Sequence, residues 1–196
     1  MKIACIKYNA GNIYSVVHAL RRLGVEPVVS DKAEDILSAD KVIFPGVGEA
    51  STTMNYLRAG NLDKLIVSLK QPVLGICLGM QLMCSYSEEG GHTGCLGIFD
   101  VPVKLFRPGQ GEKIPHMGWN GIYDLKSPLF NNIFENDYVY FVHSYYVPLC
   151  GNTIATCDYT GPFSAALNKD NFFATQFHPE KSGPVGRNIL KAFLDL

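Results

Sequence analysis

Short apolar runs alternate with helix-spaced apolar positions along the first 86 residues. IACI (3–6) reads as a buried strand. Ile13, Val16, Val17, Leu20 and Leu23 then recur every three or four residues, which sets them on one face of a helix closed by Gly24. VEPVV predicts a second strand, and Asp31 with Glu34 predicts a capping box for a short helix through Leu37. KVIF is a third strand, followed by PGVGEA and by helical segments over 50–58 and 61–69. PVLGI is the fourth strand, and LGMQLMCSY carries helical spacing directly after it. Strands apolar on both faces and interleaved with helices predict a parallel sheet covered by helices, an α/β fold.

From about residue 96 the texture becomes strand-like. GIFDVPVKLF, YVYFVHSYYV, NTIATCDY, FSAALNKD and FFATQFH are separated by the turn signals PGQG, LCGN, DYTGP and NKDN. LNKDNFFATQF reads as a hairpin that returns a strand to the main sheet, and a last helix over 184–195 docks Val185, Ile189, Leu190 and Phe193. HMGWNG reads as glycine-flanked turns around the sole tryptophan. At 196 residues the expectation is one domain, 1–196.

Charge narrows the partners. Seventeen basic and eighteen acidic side chains leave a formal net charge of -1, with no basic stripe to follow a phosphate backbone, so nucleic acid is not an expected partner. The opening MKIACIKYN is broken by Lys7 and reads as a strand, not a secretory signal; no run nears the roughly 20 apolar residues of a membrane span. A cytoplasmic protein is expected. The six cysteines form no C-x-x-C pair, so neither a disulfide framework nor a metal site is signalled.

The chemistry gathers at GICLGMQ, 75–81. A strand that turns at once into a helix leaves its last residue at the carboxyl edge of the sheet, where α/β folds bind ligands. Cys77 takes that place, with Gly75 and Gly79 leaving room for a sharp elbow. Amides at the start of the following helix favour a thiolate and can hold an oxyanion. A buried core thiol would fit this motif as well. QFHPEKS adds the second element: His178 and Glu180 lie two apart in extended chain, so the carboxylate can orient an imidazole that serves as base for Cys77. The set fits acyl transfer, with a cysteine hydrolase built on the same elbow as the alternative.

These motifs, with YNAGNIYSV, FPGVGEA, PHMGWN and YFVHSYY, resemble the class I glutamine amidotransferases almost end to end. PHMGWN and YFVHSYY point to the branch that feeds ammonia to a cyclase in histidine biosynthesis, although a paralogue serving a related partner would share the triad. The resemblance implies a flavodoxin-like three-layer α/β/α fold with a mostly parallel central sheet and an additional antiparallel region. It implies L-glutamine as substrate, Cys77 as nucleophile, His178 as proton relay and Glu180 as its orienter. The amides of Val47 and Leu78 would form the oxyanion hole, and Gly48, Gln81, Ser144 and Tyr145 would bind the amino-acid end. No cofactor is implied. The partner would be a (β/α)8-barrel cyclase subunit in a heterodimer, met by Asn12, Met117, Trp119 and Lys181. It would also carry the nucleotide site, since this chain lacks GxxxxGK[ST]. A mis-set PGVG peptide would keep the isolated chain quiet. Where the family commonly has Asp-Tyr-Gly, this chain has Lys7, Tyr8 and Asn9. His116 and His143 read as structural groups, and Cys84 as core.

Overall fold

The computed structural model describes residues 1–8, 13–109 and 111–196. The first half alternates as expected: β1 (Ile3–Ile6), α1 (Ile13–Arg22), β2 (Val28–Ser30), α2 (Ala33–Leu37), β3 (Lys41–Phe44), α3 (Ala50–Ala59), α4 (Leu62–Ser68), β4 (Val73–Ile76) and α5 (Leu78–Leu82). The second half is mostly β: β5 (Tyr86–Ser87), β6 (Thr93–Gly94), β7 (Pro102–Leu105), β8 (His116–Ile122), β9 (Asp137–His143), β10 (Tyr145–Tyr146), β11 (Thr153–Asp158), β12 (Pro162–Lys169) and β13 (Phe172–Thr175), closed by α6 (Gly183–Asp195).

Seven strands form the central sheet in the order β11-β12-β13-β4-β3-β1-β2. β13, β4, β3, β1 and β2 run parallel, and β12 pairs antiparallel with both β11 and β13. The NKDN hairpin therefore returns β13 to the parallel sheet beside β4, as the sequence predicts.

Both faces of the sheet are covered, which explains the unbroken apolar strands. On one face Cys5, Ile43, Leu74 and Ile76 pack with Val16 and Leu20 of α1, Ile189 and Phe193 of α6, and Ile122 and Phe141 of the β8–β9 pair. On the other, Ala4, Ile6, Val42 and Phe44 pack with Met54 and Leu57 of α3, Ile66 of α4 and Met80 of α5. Each such Leu, Ile or Phe, taken wholly out of water, contributes on the order of 2 kcal/mol.

Four local expectations are corrected. The second strand begins only at Val28, after Pro27. Asp31 does not cap α2, whose N-cap is Lys32 without a side-chain bond; the Ser30 hydroxyl instead donates to Asp35 (2.7 Å) and accepts from the Lys32 amide (3.1 Å). The helix after β4 stops at Leu82, because the chain beyond is drawn into pairing, with Ser85 N–H on Val101 O (3.1 Å) and Cys95 N–H on Ser85 O (3.0 Å). HMGWNG is not a pair of turns but most of β8, paired antiparallel with β9 from His116↔His143 to Ile122↔Asp137.

Candidate active site

The order β13-β4-β3 brings three chain segments to one carboxyl edge. Cys77 ends β4, Pro45–Gly48 follow β3, and His178 follows β13. The Cys77 amide donates to Thr175 O at 2.8 Å and its carbonyl accepts from Gln81 N–H at 3.2 Å, so the residue is held at the junction of strand and helix. Its backbone is left-handed (φ 53°, ψ −108°), a strained conformation for a side chain of this size and the mark of a nucleophile elbow. The elbow packs tightly: a side chain at Gly79 would collide with the carbonyl of Phe44. Only five residues of helix follow, so any help to the sulfur comes from the first amides and not from a long helix dipole.

His178 and Glu180 meet as expected. Nδ1 lies 2.7 Å from Oε1, and each side chain is 2% exposed. The HPEKS turn is pinned to β9: His178 N–H donates to Tyr140 O (2.9 Å), Tyr140 N–H to the Ser182 hydroxyl (2.9 Å), and that hydroxyl to His178 O (2.6 Å). With Nδ1 bonded to the carboxylate, Nε2 is left for chemistry. It is buried and has no hydrogen-bond partner among the described residues, and His178 lines the same cavity as Cys77. Burial disfavours the imidazolium, but the sulfur on one side and the carboxylate on the other outweigh it and raise His178 to about 10.

That cavity measures about 350 Å³. Val47, Gly48 and Leu78 line it beside Cys77, so both predicted oxyanion peptides border the sulfur's space. Gly48 takes φ 120°, open to glycine alone without strain. Just before this peptide, the buried Tyr8 ring packs edge-on against Phe44 and its hydroxyl donates to Pro45 O at 2.5 Å. Burial first, and then the charge of Cys77, hold that phenol protonated, while the Val47 N–H acts on the same oxygen in the opposite sense.

Gln81, Ser144 and Tyr145 line the cavity as predicted. Gln81 Nε2 donates to Tyr145 O (2.9 Å) and to Gln176 Oε1 (3.0 Å), so its own Oε1 takes part in neither bond. Two residues of the site went unnoticed in the sequence. Glu89 borders the cavity and accepts from Ala50 N–H at 2.7 Å; burial, opposed by that bond, holds its carboxyl above the usual range. Gln176 is fully buried and donates Nε2 to Cys77 Sγ at 3.8 Å. A glutamine amid the apolar FFATQFH was the available signal, since a buried amide needs a partner.

His116 and His143, read from the sequence as structural groups, are bonded to each other, and His143 also lines the cavity. His143 Nδ1–H donates to Tyr145 O (2.7 Å), which leaves its Nε2 to accept from His116 Nδ1–H at 3.0 Å. Of the residues expected to meet a partner, Met117 is 65% and Trp119 54% exposed, both on the outer face of β8. Lys181 is exposed, its ammonium 6.0 Å from the centre of the Tyr140 ring, which Trp119 meets edge-on. Asn12 and Asn9 lie outside the described residues.

A parallel sheet with an elbow cysteine and a buried His–Glu pair at its edge defines a class, and the comparisons agree. The sequence model of the class-I glutamine amidotransferases matches residues 5–196, and the chain belongs to that family. Within the family it is 64% identical over 197 residues to imidazole glycerol phosphate synthase subunit HisH of Bacteroides thetaiotaomicron, with 100% of each chain covered. The same subunit of Pectobacterium atrosepticum is 49% identical, again over 100% of each chain. Among solved structures, PurLQS from Thermotoga maritima shares the fold at a TM-score of 0.71 and 18% identity, covering 99% of this chain and 97% of that one.

Proposed function

We infer that this chain is the glutaminase subunit of an imidazole glycerol phosphate synthase. It hydrolyses L-glutamine to glutamate and ammonia, and a (β/α)8-barrel cyclase subunit receives the ammonia. The observation that carries the chemistry is the strained Cys77 sharing one cavity with a buried His178–Glu180 pair. Identity along the whole length of HisH relatives carries the choice of partner.

The geometry supports a two-step route. Sγ attacks the side-chain amide carbon of glutamine, and charge that develops on the oxygen meets the N–H groups of Leu78 and, once it turns inward, Val47. His178 Nε2–H protonates the leaving nitrogen, the C–N bond breaks, and ammonia departs from a glutamyl thioester. Water then gives a proton to Nε2 and its hydroxide to the thioester carbon; glutamate leaves, and the sulfur and imidazolium are restored. Glu180 holds the ring in one tautomer throughout. Gln81 Oε1 and the Glu89 carboxylate suit the substrate ammonium, and backbone at Gly48, Ser144 and Tyr145 suits its carboxylate.

The test is Cys77→Ala in the presence of the cyclase subunit. Synthesis from glutamine should vanish while synthesis from ammonium salts continues. Retained glutamine-dependent synthesis would remove Cys77 from the reaction.

A further inference from the structure

Gln176 is not part of the nucleophile–base–carboxylate set, yet its side-chain amide donates to the sulfur. Its orientation is dictated by what surrounds it. Tyr145 O can only accept, so Gln81 must turn Nε2 toward it, at 2.9 Å. The second proton on that nitrogen then meets Gln176 Oε1 at 3.0 Å. With Oε1 so engaged, Gln176 has only Nε2 to present to Sγ, at 3.8 Å. His143 Nδ1–H, 2.7 Å from the same Tyr145 carbonyl, fixes the far end. Four groups in series thus leave one arrangement for Gln176, whose N–H and not its own carbonyl oxygen meets the sulfur; the thiol in turn donates to Val142 O at 3.9 Å. Gln176 is 0% exposed and Gln81 4%, so water does not compete for these bonds.

We propose that Gln176 is a positioning residue for the nucleophile: its amide, locked through Gln81 to Tyr145 O, holds an N–H on Cys77 Sγ and favours the sulfur as an anion. A donor binds a charged acceptor more tightly than a neutral one, so the bond is stronger to the thiolate than to the thiol or thioester. Because Gln81 also borders the amino-acid pocket, the same amide chain joins substrate binding to the nucleophile. The inference rests on Cys77 being the nucleophile.

The experiment is the pH dependence of Cys77 alkylation by iodoacetamide, followed by mass spectrometry, in the native chain and Gln176→Leu, each assembled with the cyclase subunit. Glutamine hydrolysis is measured alongside. The midpoint of alkylation should move to higher pH in Gln176→Leu, and kcat should fall about tenfold, the loss expected for one hydrogen bond to a charged acceptor. KM should change less than kcat. Circular dichroism of the variant and its co-elution with the cyclase subunit report that it is folded and docked. An unmoved midpoint with kcat within about twofold of native would overturn the proposal. Should Gln176→Leu not fold, Gln176→Glu keeps the shape, cannot donate when ionised, and repels the thiolate; native-like alkylation there would equally overturn it. Independently of any variant, the Gln176 side-chain amide proton signals should shift as Cys77 titrates, and invariant signals would contradict the bond. Glutamine hydrolysis surviving Cys77→Ala would instead sink the nucleophile assignment, while the alkylation profiles would still report the N–H···S contact.

Discussion

His178 Nδ1 and Glu180 Oε1 stand 2.7 Å apart with both side chains withdrawn from solvent. The pairing leaves Nε2 with a fixed aim and a defined role, since an imidazole that donates from Nδ1 can accept or return a proton only at Nε2. Glu180→Gln keeps the shape but removes the charge that raises His178. Steady-state kinetics should show kcat for glutamine lowered by about 10²-fold or more with KM nearly unchanged. Full activity in this variant would mean that the carboxylate does not orient the base.

Tyr8 tethers the loop that we propose to supply an oxyanion amide. Its hydroxyl donates to Pro45 O, two residues before Val47, and so restrains the loop in its present setting. Tyr8→Phe should raise glutamate release by the isolated chain several-fold and narrow its ratio to the cyclase-stimulated rate. The lost hydrogen bond should lower unfolding stability by about 1 kcal/mol. An unchanged ratio would show that the tether does not restrain the peptide.

The His116–His143 pair predicts acid sensitivity. Unfolded histidines titrate near 6.5. Burial lowers His116 to about 4; at His143 burial, partly opposed by the bond to Tyr145 O, lowers the value to about 3. The unfolded chain therefore takes up protons that the folded chain refuses. Stabilisation is complete above about pH 6.5 and is lost as pH falls through 4 toward 3. Unfolding free energies from urea titrations between pH 7 and 5, where carboxylates are still mostly ionised, should decline with a limiting slope of about 1.4 kcal/mol per pH unit for each histidine. His143→Gln should flatten that decline, and an equally steep profile would assign it elsewhere.

Trp119 and Met117 project from the outer face of β8, and such exposed large apolar groups suit an interface anchor. Trp119→Ala should weaken association with the cyclase at least about tenfold by titration calorimetry while leaving the thermal unfolding midpoint of the isolated chain almost unmoved. The reverse result would make Trp119 a stability residue.

How legible the molecule was depended on which residues point inward. β1, β3 and β4 are covered on both faces, so IACI, KVIF and PVLGI announced themselves, and Cys77 and His178 followed from the ends of such strands. β8 inverted the rule. Its inner positions include His116 and Asn120, joined into a hydrogen-bonded chain, while Met117 and Trp119 face out, so neither apolar alternation nor strand length could be read from HMGWNG. In LGMQLMCSY every residue from Leu78 to Cys84 is buried, and a run without an exposed face carries no signal for where a helix ends. Gln176 and Glu89 were missed because their roles lie in partners far along the chain, a thiol 99 positions away and an amide 39 away.

The most direct measurement is capture of the acyl-enzyme. The chain, assembled with its cyclase subunit, is mixed with labelled glutamine, quenched in acid within one turnover and digested, and the label is located by mass spectrometry. The account predicts a labile glutamyl group on the peptide carrying Cys77, absent from Cys77→Ala. Label on another residue, or turnover with Cys77 never acylated under conditions that trap thioesters, would contradict it.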